Sequence, residues 1–518
     1  MSRSQNIYQP YPPSHKPTYR PAGVVSDAVD DTVTLATQED GEWRYTSTAI
    51  LGELERLTAR NAIIYAPVKT AGSIRRILQR AGVPEPTLAS TSNGGCHVKD
   101  RKTGRSIALL LSSLGLPDIW FCDTRPFNGM RPRDRADEVF SFLNWAFLHG
   151  VPADEPGSMT FNLWKTTFPP RGYKTWFYEE QQQGRPPKSL YVTGGKADRE
   201  WQLMMHGWDL SIPGHYEHAT LLDCKMAYPY VMTHDTAIER DGLFPMQLHA
   251  TKDARLPEPW ELGISRVVVH AVPDLPWSPL PYRNPETGKW EPLRQPMADL
   301  TVTNRELWLA LRRSVDLEVK ESYVGVKGTY RQPFSKWYAL YCEARELQPG
   351  SVFAKWIFNR LWGQLMIAGH GDDFDFLPWA ADIVARLRVK LHNEALTPET
   401  GAVYVETDSV IVTKDLPKPY RDGPGSWYEK PQDGPVNAET WIPERESTAA
   451  WTHADGKADF RGEVPKEEGK GIRKLSDYVT DLCEQRFAND PDWQAWKRRT
   501  GRRPDETPQH AGTEEDLF

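Results

Sequence analysis

Apolar positions along the chain gather into short strand-like runs, and several of these stop on an acidic residue. YVETDSVIV places Tyr404 and Val405 before a tight acidic tip and Val410, Ile411 and Val412 after it, so it predicts a β-hairpin with carboxylates at its turn. Upstream, HATLLDCKMAYPYVM gives an apolar strand of Ala219, Leu221 and Leu222 ending on Asp223. Tyr228-Pro229 opens the next element, with proline suited to a first helical turn. Between the two, FAKWIFNRLWGQ has helical spacing. Lys355, Asn359, Trp362 and Gly363 fall on one face, and Trp356, Ile357, Phe358 and Leu361 form the packing side. Thr303 and Glu306 have the spacing of a capping box. LPWAADIVARLRVKLHNEAL and LSDYVTDLCEQRF read as helices, the second a core-packing one. SWYEKPQDGPVNAETWIPERESTAAW alternates strand-like segments with turn residues, and the proline-rich VPDLPWSPLPYRNPETGKWEP reads as an extended loop or hairpin. Both ends, rich in Pro, Tyr and Ser or in acids, are expected to be disordered.

The chemistry open to these elements is specific. A carboxylate on a rigid turn suits a hard divalent ion, since Mg²⁺ takes oxygen ligands and is held by one or two carboxylates with substrate phosphates. Two strands, each ending in an aspartate, could bring Asp223 and Asp408 around two ions, as a phosphoryl-transfer site requires. Two surface aspartates at strand ends fit the same pattern. On the helix, Lys355 can meet a triphosphate as a point charge and Trp362-Gly363 can lie against a base pair. An amphipathic helix with a snorkelling lysine explains that segment equally.

Taken in order, LLDCKMAYP, KWIFNRLWG and YVETDS resemble the palm and fingers motifs DxxSLYP, KxxxNSxYG and YxDTDS of family B DNA polymerases. YVTGGK resembles the YxGG motif of the protein-primed branch found in phages and linear plasmids, and VTNRELWLAL resembles that branch's palm helix start. The resemblance implies an α+β multidomain chain, a right-hand polymerase of palm, fingers and thumb behind an N-terminal ribonuclease-H-like exonuclease-type domain. The implied divisions are a disordered arm at 1–24, a degenerate exonuclease-like domain at 25–175 and a first palm part at 176–330 with an inserted loop near 250–300. Fingers at 331–366, a second palm part at 367–430, a thumb at 431–500 and a disordered tail at 501–518 follow.

It also implies roles. Asp223 and Asp408 match the two metal-binding aspartates, with the Cys224 carbonyl completing the shell and Glu406 a secondary ligand. Two Mg²⁺ ions are implied, with Mn²⁺ able to substitute. Tyr228 matches the residue under the incoming sugar that excludes a 2′-OH, and Lys355 the fingers lysine on the triphosphate. Asn359, Trp362 and Gly363 match positions facing the nascent pair, with Arg345 the nearest further cation. Tyr191, Gly194, Gly195 and Thr407 are implied DNA contacts, as are Arg461 and Lys466 within FRGEVPK, which resembles a thumb element contacting the primer.

The departures are informative. Glu406 replaces the usual first aspartate of its motif, Met226-Ala227 replaces Ser-Leu, and Arg360 and Trp362 replace Ser and Tyr. In the N-terminal region the exonuclease carboxylates are missing from the matching places. VTLATQEDG lacks the DxE pair, Ala71 stands where an aspartate is expected, and Asp134 and Glu138 stand where Tyr and Asp would be. The short interval from Gly363 to Tyr404 leaves little room for the hairpin that encircles DNA in that branch, which implies reduced strand displacement.

Composition narrows the rest. A net charge of −7 excludes a globally basic nucleic-acid binder but not a local basic groove. The basic stretches at 99–105, 131–135 and 466–474 read first as solvated loops. Five cysteines without a CxxC pair suggest neither zinc nor a disulfide framework, and no apolar run is long enough to cross a membrane. The expectation is a template-directed, proofreading-deficient DNA polymerase of a phage or mobile element, working in a bacterial cytoplasm. Its partners would be primer-template DNA, dNTPs and a terminal protein or other replication protein. The alternatives are a non-catalytic palm-fold DNA-binding protein and a primer-independent, primase-like polymerase.

Overall fold

The computed structural model describes residues 20–168 and 208–500, apart from short stretches such as 84–96 and 463–473. The expected tail, nearly all of the expected arm, and Tyr191, Gly194, Gly195 and Lys466 lie outside the described residues. The chain packs into two units, one of residues 1–186 with 333–367 and one of 187–332 with 368–517.

The first unit is built on a seven-stranded sheet in the order β3-β2-β1-β4-β7-β6-β5. The strands are β1 Ala22–Val29, β2 Thr32–Glu39, β3 Glu42–Thr48, β4 Ile63–Pro67, β5 His97–Lys99, β6 Ser106–Leu109 and β7 Ile119–Cys122. β1, β2 and β3 are antiparallel neighbours, whereas β1, β4 and β7 run parallel. β4 is buried at every residue, as a central strand covered on both faces must be. Helices α1 Ile50–Thr58 and α2 Ala71–Arg80 supply Leu54, Leu57, Ile74 and Leu78 to the core against Val25, Leu35 and Ile64. This is the expected ribonuclease-H-like arrangement. VTLATQEDG forms β2 and the residues after it, so the strand parallel to β4 is β1, whose one acidic residue is Asp27. The segment matched to the first exonuclease motif thus lies on the antiparallel neighbour of β1 and not on the strand that pairs with β4. Periodicity could not decide between the two hydrophobic runs.

Two further helices, α3 Pro132–Leu148 and α4 Pro156–Thr166, carry the same unit's second core. Phe142 meets Phe353 and Phe358 edge-on at 5.5 and 6.3 Å, and Tyr65 meets Phe353 at 5.3 Å. The indole Nε1 of Trp145 donates to Glu343 at 2.8 Å, and that of Trp164 to the Pro333 carbonyl at 3.0 Å. Asp134 is held by exposed Arg131 at 2.9 Å, and that hydrogen bond lowers its pKa. Glu138 is 8% exposed and its Oε2 accepts the Val352 amide at 3.0 Å. Val352 is in the first turn of the helix Ser351–Phe358, so Glu138 caps the helix that bears Lys355.

That helix corrects one expectation. Instead of one continuous helix there are two, Ser351–Phe358 and Leu361–Ala368. The Asn359 amide still reaches Lys355 at 3.1 Å, but the Arg360 amide turns to Ile357 at 3.1 Å, tightening the chain. The Arg360 guanidinium lies 4.4 Å over the Trp356 ring. The division of faces survives it. Ile357, Phe358 and Leu361 are buried, Lys355 is exposed, and Asn359, Trp362 and Gly363 are half-buried. Trp356, expected on the packing side, is half-buried as well.

The second unit centres on an eight-stranded sheet. Its strands are β8 Asp209–Ser211, β9 Gly214–Cys224, β10 Ala402–Glu406, β11 Ser409–Val412, β12 Trp427–Glu429, β13 Ala438–Ile442, β14 Ala449–Thr452 and β15 Ala458–Arg461. The order is β15-β14-β13-β9-β11-β10-β8, with β12 also on β9. Strands beyond residue 431 thus continue the same sheet. The helices Leu475–Phe487 and Pro491–Arg499 pack Val479, Cys483, Trp493 and Trp496 against Trp441 and Ala450.

A four-stranded antiparallel sheet joins Leu248–Thr251, Asp316–Gly325, Gly263–Ala271 and Met297–Thr303. In the proline-rich segment Pro281–Arg283 pairs with Trp290–Pro292, a hairpin as expected. Thr303 and Glu306 form the capping box at the start of Asn304–Arg312. Glu306 also takes Arg388 at 2.6 Å, and Asp382 takes Arg305 at 2.8 Å and Arg386 at 2.6 Å, all buried. Arg388, Asp382 and Arg386 lie on Leu377–Glu394, a helix whose ionic groups stay buried because each is paired. His392, buried on it beside Arg313 and Arg388, is pushed down to about 3, chiefly by burial.

Replacing Glu138 by Ala removes the acceptor of the Val352 amide and is expected to destabilise the chain by about 1–3 kcal/mol. Glu138→Gln keeps an acceptor oxygen and should lose less. Thermal unfolding of the two variants, with amide exchange over 351–354, checks the order.

Candidate active site

The residues of the site are set by strand register. β10 and β11 are buried along almost their whole length, and they pair antiparallel with Glu406 opposite Ser409. This leaves a two-residue turn, Thr407-Asp408. Thr407 has φ +56°, which a β-branched residue seldom adopts, so the surroundings must hold it. They do so from both sides. The Thr407 amide donates to the Trp208 carbonyl at 2.7 Å, and the Cys224 amide donates to the Asp408 carbonyl at 2.9 Å. Asp408 is thereby tied to the residue after Asp223.

β9 lies between β11 and β12, and Asp223 is opposite Ser409 on one and Tyr428 on the other. Residues directly opposite share a face of the sheet. Asp223, 5% exposed, accordingly accepts the Ser409 hydroxyl at 2.5 Å on Oδ1 and the Tyr428 hydroxyl at 2.8 Å on Oδ2. The Lys430 Nζ stands 3.0 Å from the same Oδ2. Sequence reading missed Ser409, Tyr428 and Lys430, because only the pairing of β9 with two separate strands brings them together.

Glu406 is turned elsewhere. Its Oε2 takes the Arg461 Nε at 2.5 Å and the Tyr404 hydroxyl at 3.0 Å, and the guanidinium lies 5.5 Å over the Tyr404 ring. Burial opposes the Arg461 charge, but Tyr404, Glu406 and Asp223 outweigh it and hold its pKa above the ordinary value. Arg461 lies on edge strand β15 of this sheet and neutralises Glu406.

The groups at this end of the sheet that could hold a cation are oxygens, namely the carboxylates of Asp223 and Asp408 and the backbone of Cys224. Burial pushes the Cys224 thiol far up, so sulfur offers no thiolate. Such donors fit Mg²⁺ and Mn²⁺. Among the described residues no three of His, Cys, Asp and Glu converge as a metal-binding group.

Tyr228 lies half-buried on the helix Ala227–Thr233, directly after Met226 with φ +54°. Arg386 fixes that helix by donating to the Val231 carbonyl at 3.3 Å. In the other unit Lys355 is exposed, and Arg345 is engaged locally, its guanidinium donating to the Ser351 carbonyl.

No protein-family model matches the chain, and no curated protein matches it. Solved structures do. Phi29 DNA polymerase in an orthorhombic crystal form superposes with a TM-score of 0.53 at 14% identity, over 89% of this chain and 94% of that one. Phi29 DNA polymerase complexed with primer-template DNA and incoming nucleotide substrates gives 0.56 at 14% identity, over 90% and 94%. The complex with single-stranded DNA gives 0.50 at 14% identity, over 89% and 93%. The chain has the fold of Phi29 DNA polymerase. That shared fold, an α+β multidomain plan, extends over about nine-tenths of this sequence. Among the described residues no helix is long and apolar enough to cross a membrane.

If Glu406 and Arg461 act as a pair, their effects on stability are coupled. Glu406→Gln, Arg461→Met and the double variant should give a coupling energy of about 0.5–2 kcal/mol in thermal or urea unfolding, with the double variant less destabilised than the sum of the singles.

Proposed function

We propose that the protein is a template-directed DNA polymerase that adds dNMPs to a primer 3′-OH. The observation that carries this is the tie between the two motif strands, in which the Cys224 amide on the Asp408 carbonyl brings Asp223 and Asp408 to one end of one sheet. Asp223 and Asp408 would hold two Mg²⁺ ions, which when bound supply Lewis-acid stabilisation of the attacking and leaving oxygens. Tyr228 would lie under the incoming sugar and exclude a 2′-OH. Lys355 would meet the triphosphate as a point charge, with Asn359, Trp362 and Gly363 against the nascent pair. Glu406 would be a positioning group through Arg461 rather than a ligand.

Loss of proofreading belongs to this reading. Glu138, at the place of an exonuclease carboxylate, is committed to the helix 351–358, and Asp134 to Arg131. Reduced strand displacement, service to a phage or other mobile replicon in a bacterial cytoplasm, and a terminal protein as priming partner also belong to it. A second reading, a non-catalytic DNA-binding protein of the same fold, is favoured by one observation: Lys430 and Arg461 already neutralise Asp223 and Glu406.

Extension of a labelled primer on a DNA template with Mg²⁺ or Mn²⁺ separates the two. The wild type should extend, Asp408→Asn should lose at least about 10²-fold, and Lys355→Ala should lose about 10–10²-fold, mainly in dNTP KM. Primer-template binding without extension under either metal would establish the non-catalytic protein instead.

A further inference from the structure

We propose that Lys430 is a positioning residue of the metal site, a resident cation that holds Asp223 until divalent ions displace it and so sets the affinity of the weaker-binding ion. The proposal rests on the polymerase reading and adds a residue to it.

A carboxylate offers about four acceptor positions. Among the described residues Asp223 uses three, with Ser409 on Oδ1 and Tyr428 and Lys430 on Oδ2. One ion can take the position that remains. A second ion bound through Asp223 must take one of the other three. Ser409 and Tyr428 are neutral donors on strands fixed to β9 by the sheet. Lys430 is the charged one, and its ammonium repels a divalent ion at this distance.

The geometry also permits Lys430 to leave. Its backbone is anchored, the amide donating to the Leu221 carbonyl at 3.2 Å and its carbonyl accepting the Gly434 amide at 3.1 Å. Its side chain is 24% exposed against 8% for that of Asp223, so a change of rotamer moves the ammonium towards water without moving the sheet. Until then the ammonium compensates a buried carboxylate.

The test is Mn²⁺ binding to the full chain, followed by electron paramagnetic resonance without DNA or nucleotide. In Lys430→Met the weaker Mn²⁺ step should tighten about ten-fold, and Lys430→Arg should bind as the wild type does. Thermal melting without metal shows whether each variant is folded. Lys430→Gln, which keeps a neutral donor to Asp223, replaces the methionine variant if that one is not. A folded Met or Gln variant that binds Mn²⁺ no more tightly than the wild type overturns the role of Lys430 and leaves the polymerase reading standing. Mn²⁺ binding unchanged in Asp223→Asn overturns both.

Discussion

The register of β9 against its neighbours governs the second unit. A strand can slip only by whole residues, and a slip of one turns every side chain to the opposite face. Ala219, Leu221 and Asp223 alternate along β9, so the register that buries the first two against Ile411, Ile442 and Trp451 also presents Asp223 to Ser409 and Tyr428. The apolar core and the acidic end are thus fixed by one choice. The hydrogen bond from Cys224 to Asp408 extends the choice to the hairpin tip, where Thr407 is held in a backbone conformation it would not keep alone.

Charge in this unit is arranged in two ways. On the helix Leu377–Glu394 acids and arginines are buried and matched, which builds a support that tolerates little movement. At the sheet end, Asp223 and Glu406 are matched by Lys430 and Arg461, which retain some exposure. The same pairing chemistry makes a fully buried frame in one place and partly exposed pairs in the other, and access to water is what separates them.

Much of this was legible in the sequence because it is local. The hairpin at Asp408, the strand ending at Asp223, the capping box of Thr303 and Glu306 and the proline-rich hairpin all follow from patterns a few residues long. The order of three motifs carried the fold class. What stayed hidden depends on contacts distant in sequence. Arg461 meets Glu406 across 55 positions and Tyr428 meets Asp223 across 205, and no periodicity encodes either. The break at Asn359–Arg360 interrupts a segment whose spacing is helical throughout, so periodicity alone does not encode it. Which of two adjacent hydrophobic runs pairs in parallel with β4 is likewise set by a partner distant in sequence.

Glu138 couples two stretches of the first unit that are far apart in sequence. Its carboxylate accepts a backbone amide 214 positions further along the chain, in the first turn of the helix bearing Lys355. Any substitution that withdraws this acceptor uncaps that helix. The position is therefore constrained by a helix it does not belong to, and the N-terminal segment acts as a brace for the one that carries the lysine.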